Sequence, residues 1–244
     1  MKICIIGYTG FVGQTVFNYL SNKHNVFGIN SKTKIIPKEE FDIVINCAGN
    51  AKKYLANKNP AQDFLISSSI FHTILQLKFE KLIHVSSVKA SLPPNNNYTI
   101  SKLISEKYCK LYFPNSLIVR LRGLIGPGLK KNIVFDITNN RKPFVTFNSI
   151  FNYISTQEIA KIIERIIKLD ISKETINVSA SEPISVKEII KEAHRESIIF
   201  DKEEGSIHEN YENISIEKLN SFFKVRSSHY YIKRYFQEIK KNLS

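Results

Sequence analysis

The sequence predicts an α/β protein built on a parallel sheet with helices on both faces. Three observations carry that prediction. Strand-like and helix-like segments alternate from Lys2 to Val178, the pattern of a parallel sheet joined by crossover helices. The run Ile43-Val44-Ile45 is contiguously apolar, as in a strand covered on both sides. A glycine-spaced turn, Gly7 to Gly13, leads from the first strand into the first helix.

Taken in order, Lys2 to Ile6 reads as a short buried strand. Val12, Val16 and Leu20 then repeat at helical spacing. Val26 to Ile29 is a second strand and Phe41 to Asn46 a third. The stretch between them is too short for a full helix and strand, so one βα unit is reduced or lost. A long helix is expected from about Pro60 to Leu77, a strand over Lys81 to Ser86, a helix from about Tyr98 to Leu111, and a strand over Ser116 to Leu121. Ile159, Ile162, Ile163 and Ile166 mark a helix over Gln157 to Leu169. Thr175 to Val178 is a strand, and Ser185 with Glu188 forms a capping box for a helix through Ala193. The tail from Tyr230 to Leu243 reads as a basic helix with a solvated face.

Composition narrows the function classes. The chain has 244 residues, is 43% hydrophobic and carries 23% charged residues, ordinary values for a globular protein. No apolar run approaches the ~18 residues of a membrane span, and no signal peptide precedes the first strand. Cys4, Cys47 and Cys109 are too sparse for a disulfide framework and fit a reducing cytoplasm. Neither they nor the scattered histidines have metal-ligand spacing, so no metal site is expected. The net charge of +13 admits an anionic partner. Drift in a chain rich in Ile, Lys and Asn, with lysines spread over its length, is the favoured reading. No basic–aromatic stripe suggests a nucleic-acid groove, and neither nucleic acid nor a membrane is expected as a partner.

Gly7-Tyr8-Thr9-Gly10-Phe11-Val12-Gly13 stands where a dinucleotide fingerprint stands, after the first strand and at the opening of the first helix. Glycines there permit a tight turn and close backbone approach to a pyrophosphate, which the helix N-terminus attracts. The spacing is GxxGxxG rather than GxGxxG, and a ligand-free strand–helix turn is the bland alternative. At the end of the second strand an acidic residue would bind the ribose hydroxyl of NAD. This chain has Asn30-Ser31-Lys32-Thr33-Lys34. With no carboxylate to repel a 2′-phosphate and two ammonium groups to receive one, NADP is preferred, NAD remaining possible. The alternative is that Lys32 and Lys34 are ordinary loop lysines.

Tyr98 and Lys102 are four residues apart, hence on one helix face. A cation beside the phenol is expected to lower its pKa, making Tyr98 a general acid or base. Ser87 ends the preceding strand, where ligands of open parallel sheets bind, and is placed to hydrogen-bond a substrate carbonyl. A simple turn cap is its alternative role.

These motifs, with Asn46-Cys47-Ala48-Gly49 and the run from Arg120 to Gly128, occur in the order found in the extended short-chain dehydrogenase/reductases. The chain resembles that NAD(P)-dependent epimerase/dehydratase family over nearly its whole length. Asn152 to Ala160, Ile176 to Val178 and Ser185 to Ile189 look like the family's later segments. The resemblance implies a Rossmann-type, doubly wound fold. Residues 1–122 would form the cofactor core, completed by about 152–180. Residues 123–151 and 181–244 would form a small substrate-facing C-terminal cap. Ser87 and Tyr98 would hold the substrate oxygen, and Lys102 would bind the nicotinamide ribose. Gly10, Phe11 and Val12 would meet the pyrophosphate, with Gly7, Thr9 and Gly13 shaping its turn. Asn30, Ser31 and Lys32 would face the adenosine side. Cys47, Ala48, Gly49 and Asn50 would pass under the cofactor, with Leu124 near the nicotinamide. A homodimer through the helices near Pro60–Leu77 and Tyr98–Leu111 is also implied.

Departures from the family pattern refine this expectation. Only eleven positions separate Ser87 from Tyr98, about half the family's usual interval. Gly123 and Ile125 stand where many sugar-nucleotide enzymes carry Asn and Tyr, and Val88-Lys89 replace the acidic pair of the dehydratases. The favoured activity is NADPH-dependent reduction of a keto group on a nucleotide-linked 4-keto-6-deoxy sugar, in surface-polysaccharide biosynthesis. An NAD-dependent nucleotide-sugar epimerase, and a cofactor-binding sensor or scaffold without turnover, are the alternatives.

Overall fold

The computed structural model describes residues 1–50, 53–143, 145–195 and 214–243. The stretch 196–213 of the expected C-terminal cap lies outside the described residues. In chain order the elements begin with strand β1 (Lys2–Ile6), helix α1 (Phe11–Ser21), β2 (Asn25–Ile29) and β3 (Glu40–Asn46). They continue with α2 (Lys53–Lys58), α3 (Pro60–Leu75), β4 (Lys78–Ser87), α4 (Asn97–Tyr112) and β5 (Ser116–Leu121). Next come β6 (Leu124–Ile125), α5 (Ile133–Thr138), β7 (Ile150–Phe151), β8 (Ile154–Ser155), α6 (Thr156–Lys168) and β9 (Thr175–Val178). The last are β10 (Ile184–Ser185), α7 (Val186–Ala193), α8 (Glu217–Asn220) and α9 (Ser228–Leu243).

The chain divides into two compact units, residues 1–121 with 159–178, and residues 122–158 with 179–244. In the first, six parallel strands lie in the order β2-β1-β3-β4-β5-β9. Both faces are dry. Cys4, Ile6, Val44, Leu82 and Ile118 pack against Phe71 and Ile74 of α3 and Cys109 of α4. Ile3 and Ile5, which alternate with them along β1, are equally buried. Burying such an aliphatic side chain contributes roughly 1.5–3 kcal/mol, so this double-sided core dominates stability.

Local chemistry sets the helix starts. Pro60 opens α3 with its fixed φ, and the side chain of Asn59 accepts a hydrogen bond from Gln62 N at 3.1 Å. Asn96 does the same for α4 through Thr99 N at 3.0 Å. The connection from β2 to β3 contains no helix, as its length predicts, so β2 ends the sheet.

Two differences from expectation have physical causes. β4 begins at Lys78, three residues early, because Lys78 and Phe79 pair with Glu40 and Phe41 of β3; within it Lys81 is buried and its ammonium meets Asp170 at 3.0 Å. Helix α2, too short to show a periodicity, packs on α3 and α4.

In the second unit β6 pairs in parallel with β8, and β7 antiparallel with β10. The predicted capping box of Ser185 and Glu188 starts α7. Buried Ser228, at the start of α9, accepts a hydrogen bond from Tyr153 N at 3.0 Å and donates to the carbonyl of Glu182.

Candidate active site

The glycine turn follows from what its positions exclude. Gly7 has φ +80°, open to glycine at little cost, and a Cβ there would stand 2.7 Å from Ala48 N. A Cβ on Gly13 would strike the carbonyl of Gly7, so α1 closes directly on the turn. The first helical bond runs from Gln14 N to Gly10 O at 2.8 Å. The amides of Phe11, Val12 and Gly13 therefore precede the helical ladder, and no acidic side chain occupies that first turn. Such an end attracts an anion.

Beside it lies a cavity of about 970 Å³, at the upper end of small-molecule sites. Of the residues expected to bind cofactor, Gly7, Thr9 and Gly10 line it from the turn. Asn30 and Ser31 line it from the end of β2, and Cys47, Ala48, Gly49 and Asn50 from the end of β3. Phe11, Val12 and Gly13 stand behind, at the start of α1. Lys32 does not line the cavity; its side chain is exposed, and its amide donates to Asn30 Oδ1 at 2.8 Å. Leu124 lies on β6 in the second unit.

The far wall of the cavity went unread in the sequence. Asn59, Gln62, Asp63, Ile66, Ser69 and Thr73 of the α3 segment line it. Their three- and four-residue spacing marks one helix face, a signal available once the helix had been placed.

Ser87, Tyr98 and Lys102 come together. The Ser87 and Tyr98 side chains share a hydrogen bond. The Lys102 ammonium stands 5.5 Å from the centre of the Tyr98 ring. It also lies beside Gly49, where a Cβ would come within 3.2 Å of it, and so reaches the cavity wall. Tyr98 is held from the other side, its amide donating to Asn57 Oδ1 of α2 at 3.2 Å.

One expectation is corrected. The Tyr98 phenol is raised from its ordinary value, not lowered. Burial is the largest cause and the charge of Asp63 adds to it, while the hydrogen bond with Ser87 opposes both. Removal from water outweighs the stabilisation of the phenolate that the spacing of Tyr98 and Lys102 suggested.

Two buried networks brace these groups. The imidazole of His84 lies between β3 and α3, with Nδ1 3.0 Å from Asn46 Nδ2 and its ring stacked on Phe71. Asn46 Oδ1 accepts from Ala48 N at 3.0 Å, which fixes the turn under the cavity. Burial and the nearby Lys102 charge push His84 down to about 3, so it is neutral and Nδ1 is an acceptor. Behind Ser87, Ser86 Oγ donates to Glu106 Oε1 at 2.6 Å. Arg120 grips the same carboxylate through Nε at 2.9 and 3.1 Å and Nη2 at 2.6 Å. Among the thiols, Cys47 is pushed up to about 12 by burial and is no nucleophile at neutral pH.

The parallel sheet, with a glycine turn at the point where strand order reverses between β2 and β3, defines a Rossmann-like α/β protein. A family model described as the NAD dependent epimerase/dehydratase family matches residues 3–179, and the chain belongs to that family. Its members bind NAD(P) and are oxidoreductases and epimerases; this chain is an enzyme of that kind. The chain is 25% identical over 234 residues to GDP-6-deoxy-D-talose 4-dehydrogenase of Aggregatibacter actinomycetemcomitans, covering 78% of each. Among solved structures, UDP-N-acetylglucosamine 4-epimerase of Methanobrevibacter ruminantium superposes with a TM-score of 0.79 at 16% identity, covering 99% of this chain and 98% of that one. RMD of Pseudomonas aeruginosa, complexed with NADPH, gives 0.78 at 18% identity, covering 99% of both chains. At these identities the structural likeness establishes the fold. No helix among the described residues is long and apolar enough to cross a membrane.

Proposed function

We propose that the protein is a cytoplasmic NADPH-dependent reductase of a keto group on a nucleotide-linked 4-keto-6-deoxy sugar, serving surface-polysaccharide assembly. The observation that carries this reading is the convergence of Ser87, Tyr98 and Lys102 beside Gly49 of the cavity wall. The relationship to GDP-6-deoxy-D-talose 4-dehydrogenase points to the sugar. That name describes oxidation at C4 of a 6-deoxyhexose, whose reverse is the reduction proposed.

The residues present fit a dinucleotide. The turn closes without side chains at Gly7 and Gly13, and the open amides of Phe11 to Gly13 suit its pyrophosphate. NADP is preferred because residues 30–34 carry no carboxylate, although the exposed Lys32 must swing to reach a 2′-phosphate. When bound, NADPH supplies the hydride for the carbonyl carbon. Tyr98, kept protonated by burial, gives its proton to the developing alkoxide. A phenol protonated at rest suits the direction of reduction, in which it acts as the acid. Ser87 steadies the same oxygen, and Lys102 holds ribose hydroxyls. Residues 123–151 and 181–244 form the substrate-facing part. The protein is a homodimer through α3 and α4, which expose Phe64, Ile104, Leu111 and Tyr112.

The test is incubation of the purified enzyme with NADPH and GDP- or dTDP-linked 4-keto-6-deoxyhexoses. Loss of NADPH absorbance and a product two hydrogens heavier are expected. Sugar inversion without net NADPH consumption, by enzyme purified with tightly held NAD, would replace this reading with an epimerase. Cofactor binding without turnover across the panel would leave a binding protein.

A further inference from the structure

Asp63 is a carboxylate with no evident structural duty. It sits in the first turn of α3, where acidic side chains usually cap the helix. That role is already filled, since Asn59 supplies the cap to Gln62 N and its carbonyl accepts the Asp63 amide at 3.2 Å. Asp63 is 4% exposed, and among the described residues its carboxylate accepts no hydrogen bond and joins no ion pair. A carboxylate so nearly enclosed depends for its hydrogen bonds on whatever fills the space it faces. It lines the same cavity as Gly7, Gly10 and Gly49. It is also close enough to Tyr98 for its charge to act on the phenol.

Around this end of the cavity the groups alternate in kind. Asp63 only accepts hydrogen bonds, the Lys102 ammonium beside Gly49 only donates, and Tyr98 can do either. Neighbouring hydroxyls of a sugar ring match that set, each able to donate to the carboxylate and accept from the ammonium. A phosphate or carboxylate ligand would be repelled by Asp63, and an apolar one would leave it unpaired.

We infer that Asp63 is a binding residue that accepts hydrogen bonds from vicinal sugar hydroxyls of a ligand in this cavity. The inference rests on the reading that the cavity takes a dinucleotide. The hydroxyls belong either to the cofactor's second ribose or to the sugar of the other ligand, and the two sources separate by experiment.

The test uses the full chain with Asp63→Asn and Asp63→Ala, and needs no turnover. Dissociation constants are measured calorimetrically for NADPH, NADH and ADP, then for GDP-mannose, UDP-glucose, GDP and UDP at saturating NADP. Loss of charge-assisted bonds should weaken both dinucleotides roughly ten- to hundredfold, with ADP binding unchanged. Unchanged dinucleotides with weakened sugar nucleotides, and unchanged GDP and UDP, would equally support the inference and assign the hydroxyls to the sugar. Unchanged binding of every ligand overturns it, as does an equal loss for ADP, GDP or UDP, which would mean a distorted cavity. Thermal melting of the ligand-free protein gives a second reading. Asp63→Asn should melt no lower than the parent, because the carboxylate has no internal partner to lose; a clear fall would reveal a structural role and overturn it. A parent that binds no dinucleotide would instead remove the reading of the cavity itself.

Discussion

Replacing Arg120 by Met tests how the sheet braces the site. In the parent, the Glu106 carboxylate is 2% exposed and Arg120 is 16% exposed, so this pair is internal. Three nitrogen–oxygen contacts of 2.6–3.1 Å and the Ser86 hydroxyl satisfy the carboxylate. Arg120→Met leaves it buried with the Ser86 hydroxyl as donor but without its cation. Breaking such a pair costs about 3–5 kcal/mol. For a chain of this size each kcal/mol moves Tm by about 2–4 °C, so a fall of roughly 6–20 °C is expected. The double variant Glu106→Gln with Arg120→Met should recover much of the loss, because no charge is then stranded. The assay is urea and thermal unfolding followed by circular dichroism for the parent, both single variants and the double. A loss below about 1 kcal/mol for Arg120→Met, typical of surface pairs, or a cycle with no coupling, would refute the reasoning.

Tyr98→Phe should lower turnover roughly 10²–10⁴-fold with cofactor affinity nearly unchanged, read by steady-state kinetics beside equilibrium binding. Lys32→Ala with Lys34→Ala should weaken NADPH by roughly ten- to hundredfold and leave NADH nearly as before; equal losses would remove the NADP preference. His84 has a folded-state value of about 3 against an ordinary 6.5, so below about pH 6.5 the unfolded chain takes up a proton that the folded chain refuses. Stability should therefore fall as pH drops through that window toward 3, and His84→Gln should flatten the dependence of the urea midpoint on pH. Light scattering at micromolar concentration should report twice the chain mass; particles of 28.1 kDa alone would refute the dimer.

What the sequence revealed and what it hid divide along the range of the interactions. The glycine turn is local: strand, glycines and helix follow one another, so its role could be read from spacing. The buried strands Lys2–Ile6 and Ser116–Leu121 declared themselves by apolar runs. The early start of β4 did not, because Lys78 and Phe79 join the strand by pairing with Glu40 and Phe41, far back in the chain. The Tyr98–Lys102 spacing correctly suggested proximity, but the direction of the phenol's shift depends on burial by elements from several parts of the chain. Nothing local marks Asp63, because the turn after β3 and the face of α3 that bound its cavity are separate stretches of chain.

The order of synthesis gives the interrupted first unit a further significance. Its sheet is five strands long when the ribosome has passed Leu121, and the sixth, β9, arrives only with Thr175, after residues 122–158 have been made. Until then β5 presents a bare edge of backbone donors and acceptors, the kind of surface on which nascent chains stray into wrong pairings. Because β9 is contributed by a later stretch, neither unit corresponds to one continuous piece of chain. Cutting the gene at a single point cannot yield either unit whole, and a stand-alone first unit would have to be made by joining residue 121 to residue 159 rather than by truncation.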